Sequence, residues 1–211
     1  MASEQLANVP KWLLNALVEF RIDPITLRSG KDFLEEDFNC EIPEFDLGRL
    51  VQVIFINMRE GNLEITDSQE NPLSLDNPDA LSTLIARGHE QTYWLGLTDR
   101  GGSEWECLCT PRWDDFVNLY LMSGAGEDEE VCIESLSRDK NLEAYAYIKS
   151  SDYIIIPSSE KWLTLSPWEA TYWKTFPTGL RLTLRGRNAA PSEMRSNKSW
   201  YSDFFKWNAC F

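Results

Sequence analysis

The residues that could carry acid–base chemistry are few in this chain of 211 residues, which has a single histidine. That residue, His89, follows Gly88 at the predicted end of a helix, where an imidazolium interacts favourably with the helix dipole. A general-base role for His89 is the alternative. The chain lacks the nucleophile-elbow, phosphate-loop and zinc-protease motifs. We therefore assign no catalytic residue, and an enzyme of unrecognised type stays as an alternative.

Cysteine offers a second kind of chemistry, because Cys107 and Cys109 lie two residues apart among five cysteines. This pair could form half of a zinc or redox site, but a structural zinc needs four ligands. Free cysteine is among the most buried residue types, which favours simple packing. The first residues lack the apolar core of a secretory signal. We therefore expect reduced thiols in a cytoplasmic protein, with no metal and no cofactor.

The charge of the chain is strongly acidic, with a formal net charge of −14. From residue 174 onward seven cations face two acidic residues, so residues 1–173 carry −19. This field repels nucleic acid and anionic membranes, and it attracts basic proteins. The densest acidic run, with Glu127, Asp128, Glu129 and Glu130, follows a Gly-rich stretch and predicts a solvated boundary between two regions. No apolar run approaches the length of a membrane-spanning helix.

Aromatic residues are the strongest sign of binding, since the chain has nine tryptophans. Trp168 and Trp173 lie near predicted loops, around Pro167 and Pro177, and tryptophan is enriched at binding hot spots. The alternative is that both rings cap the edge of a small sheet. We therefore predict a non-enzymatic protein-binding protein with an acidic, aromatic surface, such as a regulatory or immunity-type partner of a basic protein.

The basic, aromatic C-terminal part supports a different function. Arg181 and Arg185 alternate with leucines in a predicted strand, and this surface could contact an acidic partner or, together with Arg87, nucleic acid. In the alternative, this basic strand face lies against the acidic part of the same chain. A nucleic-acid-associated regulator is therefore the second hypothesis, which the net charge disfavours.

The elements that must position these residues follow from hydrophobic periodicity and from capping residues. We predict an α+β fold with a helical region at residues 1–123 and a smaller mixed α/β region with an aromatic tail at residues 124–211. The predicted helices cover 9–20, 46–61, 77–88, 111–122 and 138–149, and a further helix, capped by Thr98, carries Trp105 and Cys109. The predicted strands cover 25–27, 63–66, 92–98, 131–133, 153–156, 162–165, 171–173 and 180–185.

The segment Tyr93–Gly102, which follows a helix, a short strand and a helix, resembles part of a winged-helix module over residues 46–110. In that family a strand ending in Leu-Thr-x-x-Gly leads into the wing or the next helix. The helix that would enter the groove begins near Asp76 and Asp79 and has Arg87 as its one cation. Base readout and phosphate contacts need several cationic or amide side chains, so the resemblance implies the fold without DNA binding.

Four short motifs are similar to those of uncharacterised bacterial proteins of toxin-immunity type. They are Gly101-Gly102, Trp105-Glu106, Trp113-Asp114 and Tyr172-Trp173-Lys174.

The Leu97–Gly102 segment also predicts a strand-to-helix turn. We expect Leu95 and Leu97 in the core, Trp105 buried on the following helix, and a positive φ at Gly101 or Gly102.

Overall fold

The computed structural model describes residues 6–29, 31–38, 42–87, 92–122, 129–150 and 153–188. It has an α+β fold, as the sequence predicts. The chain divides into two compact units. Among the described residues, the first unit extends to Thr110 and also includes Thr171–Lys174, and the second contains Pro111–Ala170 and the chain from Thr175 onward. The boundary at residue 123 between independent domains stays a prediction.

The first unit combines five helices with a two-stranded antiparallel ribbon among its described residues. The ribbon pairs Leu63 with Leu97 and Ile65 with Leu95, and all four side chains are buried. The elements are α1 (Lys11–Glu19), α2 (Lys31–Phe38), α3 (Leu47–Arg59), β1 (Leu63–Asp67), α4 (Pro78–Arg87), β2 (Tyr93–Leu97) and α5 (Asp99–Cys109).

Local capping chemistry sets the limits of α3, as the sequence predicts. Asp46 Oδ1 accepts a hydrogen bond of 2.8 Å from the amide of Gly48, which satisfies one of the free amides at the start of the helix. Gly61, with a φ of 74°, follows the helix in the left-handed conformation that glycine adopts at low cost.

The predicted strand at 25–27 is wrong, because Pro24–Arg28 is a short 3-10 helix. Asp23 Oδ1 accepts a hydrogen bond of 3.0 Å from the Ile25 amide, and Pro24 supplies the φ that a first helical residue needs.

The turn before α5 differs from the prediction. Leu95, Leu97 and Trp105 are buried, as expected, and Thr98 Oγ1 caps the amide of Gly101 at 3.0 Å. However, Gly101 and Gly102 lie within α5 and neither has a positive φ, so that expectation is wrong. The winged-helix resemblance loses the turn that supported it and stays a prediction.

Close approach explains the two glycines instead. A Cβ atom at Gly101 would lie 1.8 Å from the backbone oxygen of Asn62, and one at Gly102 would lie 2.1 Å from the ring of Trp173. Glycine is therefore required here because neighbouring groups occupy the space, and not because of the backbone conformation.

Residues 171–173, which we predicted to be a strand, form bends that pack into the first unit. The Tyr172 hydroxyl donates a hydrogen bond of 2.6 Å to the carbonyl of Leu17 and accepts one from the amide of Leu97. The Arg21 guanidinium lies 5.0 Å from the centroid of the Tyr172 ring. Tyr172 therefore joins α1 to β2.

The second unit is built on a five-stranded antiparallel sheet in which the long central strand β9 pairs with three others. One face of the sheet packs on a helix around a core that includes Ile133, Ile148 and Leu182. The elements are β3 (Asn118–Met122), β4 (Glu129–Ser135), α6 (Arg138–Ser150), β5 (Tyr153–Ile155), β6 (Lys161–Leu165), β7 (Trp168–Glu169), β8 (Thr175–Phe176) and β9 (Gly179–Asn188).

The predicted helix at 111–122 is wrong. Thr110 ends α5 in the left-handed conformation with a φ of 44°, residues 113–115 form a single 3-10 turn, and the chain then enters β3. Leu119 pairs across the sheet with Ile133 of β4. This segment is therefore a 3-10 turn followed by a strand.

No helix in the described part of the chain is long and apolar enough to cross a lipid bilayer.

Candidate functional site

The face of the second sheet opposite α6 carries a row of polar side chains. Because the pairing is antiparallel, residues directly opposite each other lie on the same face. Arg181 of β9 is paired with Glu134 of β4 on one side and with Leu163 of β6 on the other. This row continues to Asn118 of β3, opposite Glu134.

Glu134 is the centre of a buried polar cluster, since the residue is 3% exposed. Its Oε1 atom accepts a hydrogen bond of 2.7 Å from the Tyr120 hydroxyl and lies 2.6 Å from both Nε and Nη2 of Arg181. Its Oε2 atom accepts a hydrogen bond of 2.8 Å from the indole N–H of Trp168. A buried carboxylate is tolerated when donors satisfy both oxygens in this way.

This cluster suits positioning better than acid–base catalysis. Both oxygens of Glu134 accept hydrogen bonds from fixed donors, which hold the carboxylate in place. Burial, and next the hydrogen bond to Glu134, raise the pKa of Tyr120 above its usual range. The Tyr120 proton therefore stays on the ring, and the cluster holds the Arg181 guanidinium in a fixed orientation.

Trp168 lies inside the protein, because it is 1% exposed. Its ring stacks on Phe176 at 5.7 Å and lies 6.2 Å from the ring of Phe116, and Trp113 completes the aromatic cluster. Our assignment of Trp168 to a binding surface does not fit this burial, since a partner could not reach the ring.

Around Arg181 the same sheet face is basic and apolar. Lys161 is opposite Thr183, two residues along the strands from the Leu163–Arg181 pair. Lys161 and Arg185 are exposed, and Leu163 is 54% exposed. We call these five residues, 161, 163, 181, 183 and 185, the basic sheet face. Arg181 and Arg185 thus lie on the same face of β9, as alternation in the strand predicts.

The predicted acidic run is divided between described and undescribed residues. Glu127 and Asp128 lie outside the described residues. Glu129 and Glu130 begin β4, where they are half-buried and where Glu130 is opposite Arg185 of β9. These two glutamates therefore belong to the sheet, and the expected solvated boundary does not extend to them.

Trp173 and Arg87 lie in the first unit. The indole N–H of Trp173 donates a hydrogen bond of 2.9 Å to the carbonyl of Val18, and its half-buried ring meets the Trp105 ring edge-on at 6.0 Å. Arg87 is exposed in the last turn of α4. It is separated in the chain from Arg181 and Arg185, which belong to the second unit.

A long acidic stretch of the described chain is residues 60–86, which we call the acidic segment. It contains six acidic residues and no lysine or arginine. Glu64 and Glu70 lie 3.4 Å and 3.9 Å from the Arg21 guanidinium. A hydrogen bond from the Asn71 side chain lowers the pKa of Asp67, so this carboxylate keeps its charge.

The cysteines give a mixed outcome. Cys109 is disulfide-bonded, so the expectation of reduced thiols is wrong for this residue. Cys107, by contrast, is an exposed free thiol, so Cys107 and Cys109 are in different chemical states. Cys132 is buried, with its sulfur 3.7 Å from Thr183 Oγ1. No three His, Cys, Asp or Glu side chains of the described residues are grouped to hold a metal ion. His89 lies outside these residues.

Tyr172 gives the first testable prediction, a loss of stability at high pH. Burial raises the pKa of Tyr172 in the folded protein above the usual value near 10. Above about pH 10 the unfolded chain therefore releases a proton that the folded protein retains, so stability is full below this pH and falls above it. Urea unfolding between pH 9 and 11.5 is expected to show a slope steeper in the wild type than in Tyr172→Phe, by up to about 1.4 kcal/mol per pH unit. An equal slope in both proteins would contradict this assignment.

Glu134, the central residue of the site, is absent from the residues that the sequence singles out. The available signal was a carboxylate at the end of the apolar run Val131–Ile133, since charged residues in buried strands are paired.

No protein-family model, curated protein or solved structure matches the chain.

Proposed function

We propose that the chain is a non-enzymatic protein-binding protein whose acidic first unit binds a basic protein, as a regulatory or immunity-type partner. The supporting observation is the uneven charge. The first unit has 20 acidic and 9 basic residues, a net charge of −11, whereas the second unit has −3. Acidic surfaces of this kind accelerate association with basic proteins.

The acidic segment is the part of the first unit that best fits this role. Glu60, Asp76 and Asp79 are exposed, and none of the three forms an ion pair with another described residue. Their charges are therefore available to a partner. In our proposal the run Glu127–Glu130 adds to the attraction from the second unit.

The salt dependence of association tests this proposal. We expect the immobilised protein to retain a basic protein at about 50 mM salt, with an association rate constant that falls steeply at higher ionic strength. The triple variant Glu60→Gln, Asp76→Asn and Asp79→Asn is expected to lower this rate constant about tenfold at low salt, because the field that steers the encounter is weakened. Stopped-flow fluorescence measures the rate.

A matched triple variant in the second unit separates local attraction from net charge. Asp114, Asp139 and Glu169 are exposed, and changing them to the corresponding amides alters the net charge by the same amount. We expect a much smaller decrease in the rate constant. Equal decreases in the two triple variants, or a rate that does not depend on salt, would contradict a binding role of the acidic segment.

The nucleic-acid hypothesis is supported by one feature, the position of Arg181 and Arg185 on the same sheet face. It predicts a mobility shift of duplex DNA at about 50 mM salt that the double variant Arg181→Ala and Arg185→Ala weakens.

A further inference from the structure

We propose that the basic sheet face is a second binding site, which takes an acidic peptide segment with apolar side chains and in which Arg181 recognises a carboxylate. This site lies in the second unit and has the opposite charge to the acidic segment. It is therefore independent of the binding proposed for the first unit.

Glu134 holds the Arg181 side chain in a fixed orientation. Glu134 occupies Nε and Nη2 of the guanidinium on the buried side, while 31% of the side chain remains exposed. A guanidinium has five N–H donors, so Nη1 and one N–H of Nη2 remain for a ligand. Because Glu134 already restricts the side chain, less conformational entropy is lost when an acidic group binds.

The residues around Arg181 indicate the charge and polarity of the partner. Lys161 and Arg185 are two exposed cations on the same face, and Glu130, opposite Arg185, offsets part of that charge. Leu163 lies next to Arg181 and is 54% exposed, and Ile154, at the opposite end of the face, is 37% exposed. The complement to such a surface is a segment that alternates carboxylates with apolar side chains.

The same features favour a peptide over nucleic acid. Surfaces that bind single strands combine cations with aromatic rings on which bases stack, whereas the exposed apolar side chains on this face, Leu163, Ile154 and Met122, are not aromatic. The net charge of −14 also repels a long polyanion more strongly than it repels a short peptide.

Fluorescence anisotropy with a labelled nine-residue peptide tests the proposal. In the sequence Glu-Ser-Leu-Ser-Glu-Ser-Leu-Ser-Glu, glutamates and leucines lie on one face when the peptide is extended. We expect saturable binding at about 50 mM salt that weakens at about 500 mM. The same peptide with lysine in place of glutamate, and a thymidine 15-mer, are expected not to bind.

Surface variants locate the site. Lys161→Glu and Leu163→Ser are expected to raise the dissociation constant about tenfold and about threefold. The controls are Arg59→Glu, which makes the same charge change on α3, and Leu108→Ser, which removes a leucine that is 40% exposed on α5. Both controls are expected to bind the peptide as the wild type does.

Arg181→Lys tests the role of the guanidinium, because lysine keeps the charge but lacks the planar fork. We expect about tenfold weaker binding in a protein whose circular dichroism spectrum and thermal unfolding show that it is folded. Absence of peptide binding, equal effects of variants and controls, or preferential binding of the thymidine 15-mer would overturn the proposal.

Discussion

Glu134→Ala is expected to lower the free energy of unfolding by about 3 kcal/mol. The change removes the acceptor of three donors, the Tyr120 hydroxyl, the Arg181 guanidinium and the Trp168 indole N–H. It leaves a partly buried cation and two polar groups without their acceptor, which is the costly outcome when one partner of a buried cluster is removed. Urea unfolding followed by tryptophan fluorescence measures the change.

Two controls accompany this measurement. Glu169→Ala removes an exposed glutamate of β7 and is expected to change stability by less than about 0.5 kcal/mol. The double variant Glu134→Leu and Arg181→Met is expected to be more stable than Glu134→Ala, because it also removes the unpaired charge. If Glu134→Ala unfolds at the wild-type urea concentration, the cluster does not hold this part of the sheet together.

Gly101→Ala is expected to destabilise the protein by about 3 kcal/mol, although alanine normally stabilises a helix by about 1 kcal/mol relative to glycine. The new Cβ atom would lie 1.8 Å from the carbonyl oxygen of Asn62. That oxygen accepts a hydrogen bond of 3.1 Å from the amide of Thr98, so it cannot move away without breaking a contact next to the helix start.

Gly48→Ala in α3 is the matched control. Its Cβ atom would lie 3.3 Å from Asp46 Oδ1, a side-chain atom that can adjust. Stability is expected to stay the same or to rise by up to about 1 kcal/mol. Thermal and urea unfolding of both variants give the comparison, and a gain of stability in Gly101→Ala would show that α5 does not approach Asn62 closely.

The parts of the fold that depend on local chemistry could be predicted from the sequence. Asp46 and Gly61 mark the two ends of α3 because each acts on the backbone within a few residues. The strand containing Leu180–Arg185 was equally accessible, since its alternation reflects a sheet with one buried face.

The errors occur where distant residues decide the structure. Residues 111–122 have apolar side chains at spacings that suit a helix, but Trp113 packs with Phe176, Phe116 packs with Trp168, and Leu119 pairs with β4. The Gly101–Gly102 prediction failed for a related reason. Glycine is needed there because Asn62 and Trp173 lie close to it, and both are distant in sequence from the turn.

In the candidate site, too, the sequence predicts some features and not others. Alternation along one strand places Arg181 and Arg185 on a common face, and this could be derived from the sequence. The partner of Arg181 could not, because Glu134 and Trp168 come from other strands and their register was unknown. Trp168 was therefore assigned to a surface although the indole N–H donates to a buried carboxylate.

The position of Tyr172 has a consequence for synthesis of the chain on the ribosome. Its hydroxyl contacts Leu17 and Leu97, which are made much earlier. Lys174 is 64 residues beyond Thr110. At a synthesis rate of roughly 5–20 residues per second, residues 171–174 of the first unit are therefore completed roughly 3–13 s after Thr110. During this interval the carbonyl of Leu17 lacks its tyrosine donor and the ring of Trp105 lacks the indole of Trp173. Nascent chains stalled before residue 171 should therefore be more sensitive to proteases in this unit than chains stalled well after residue 174.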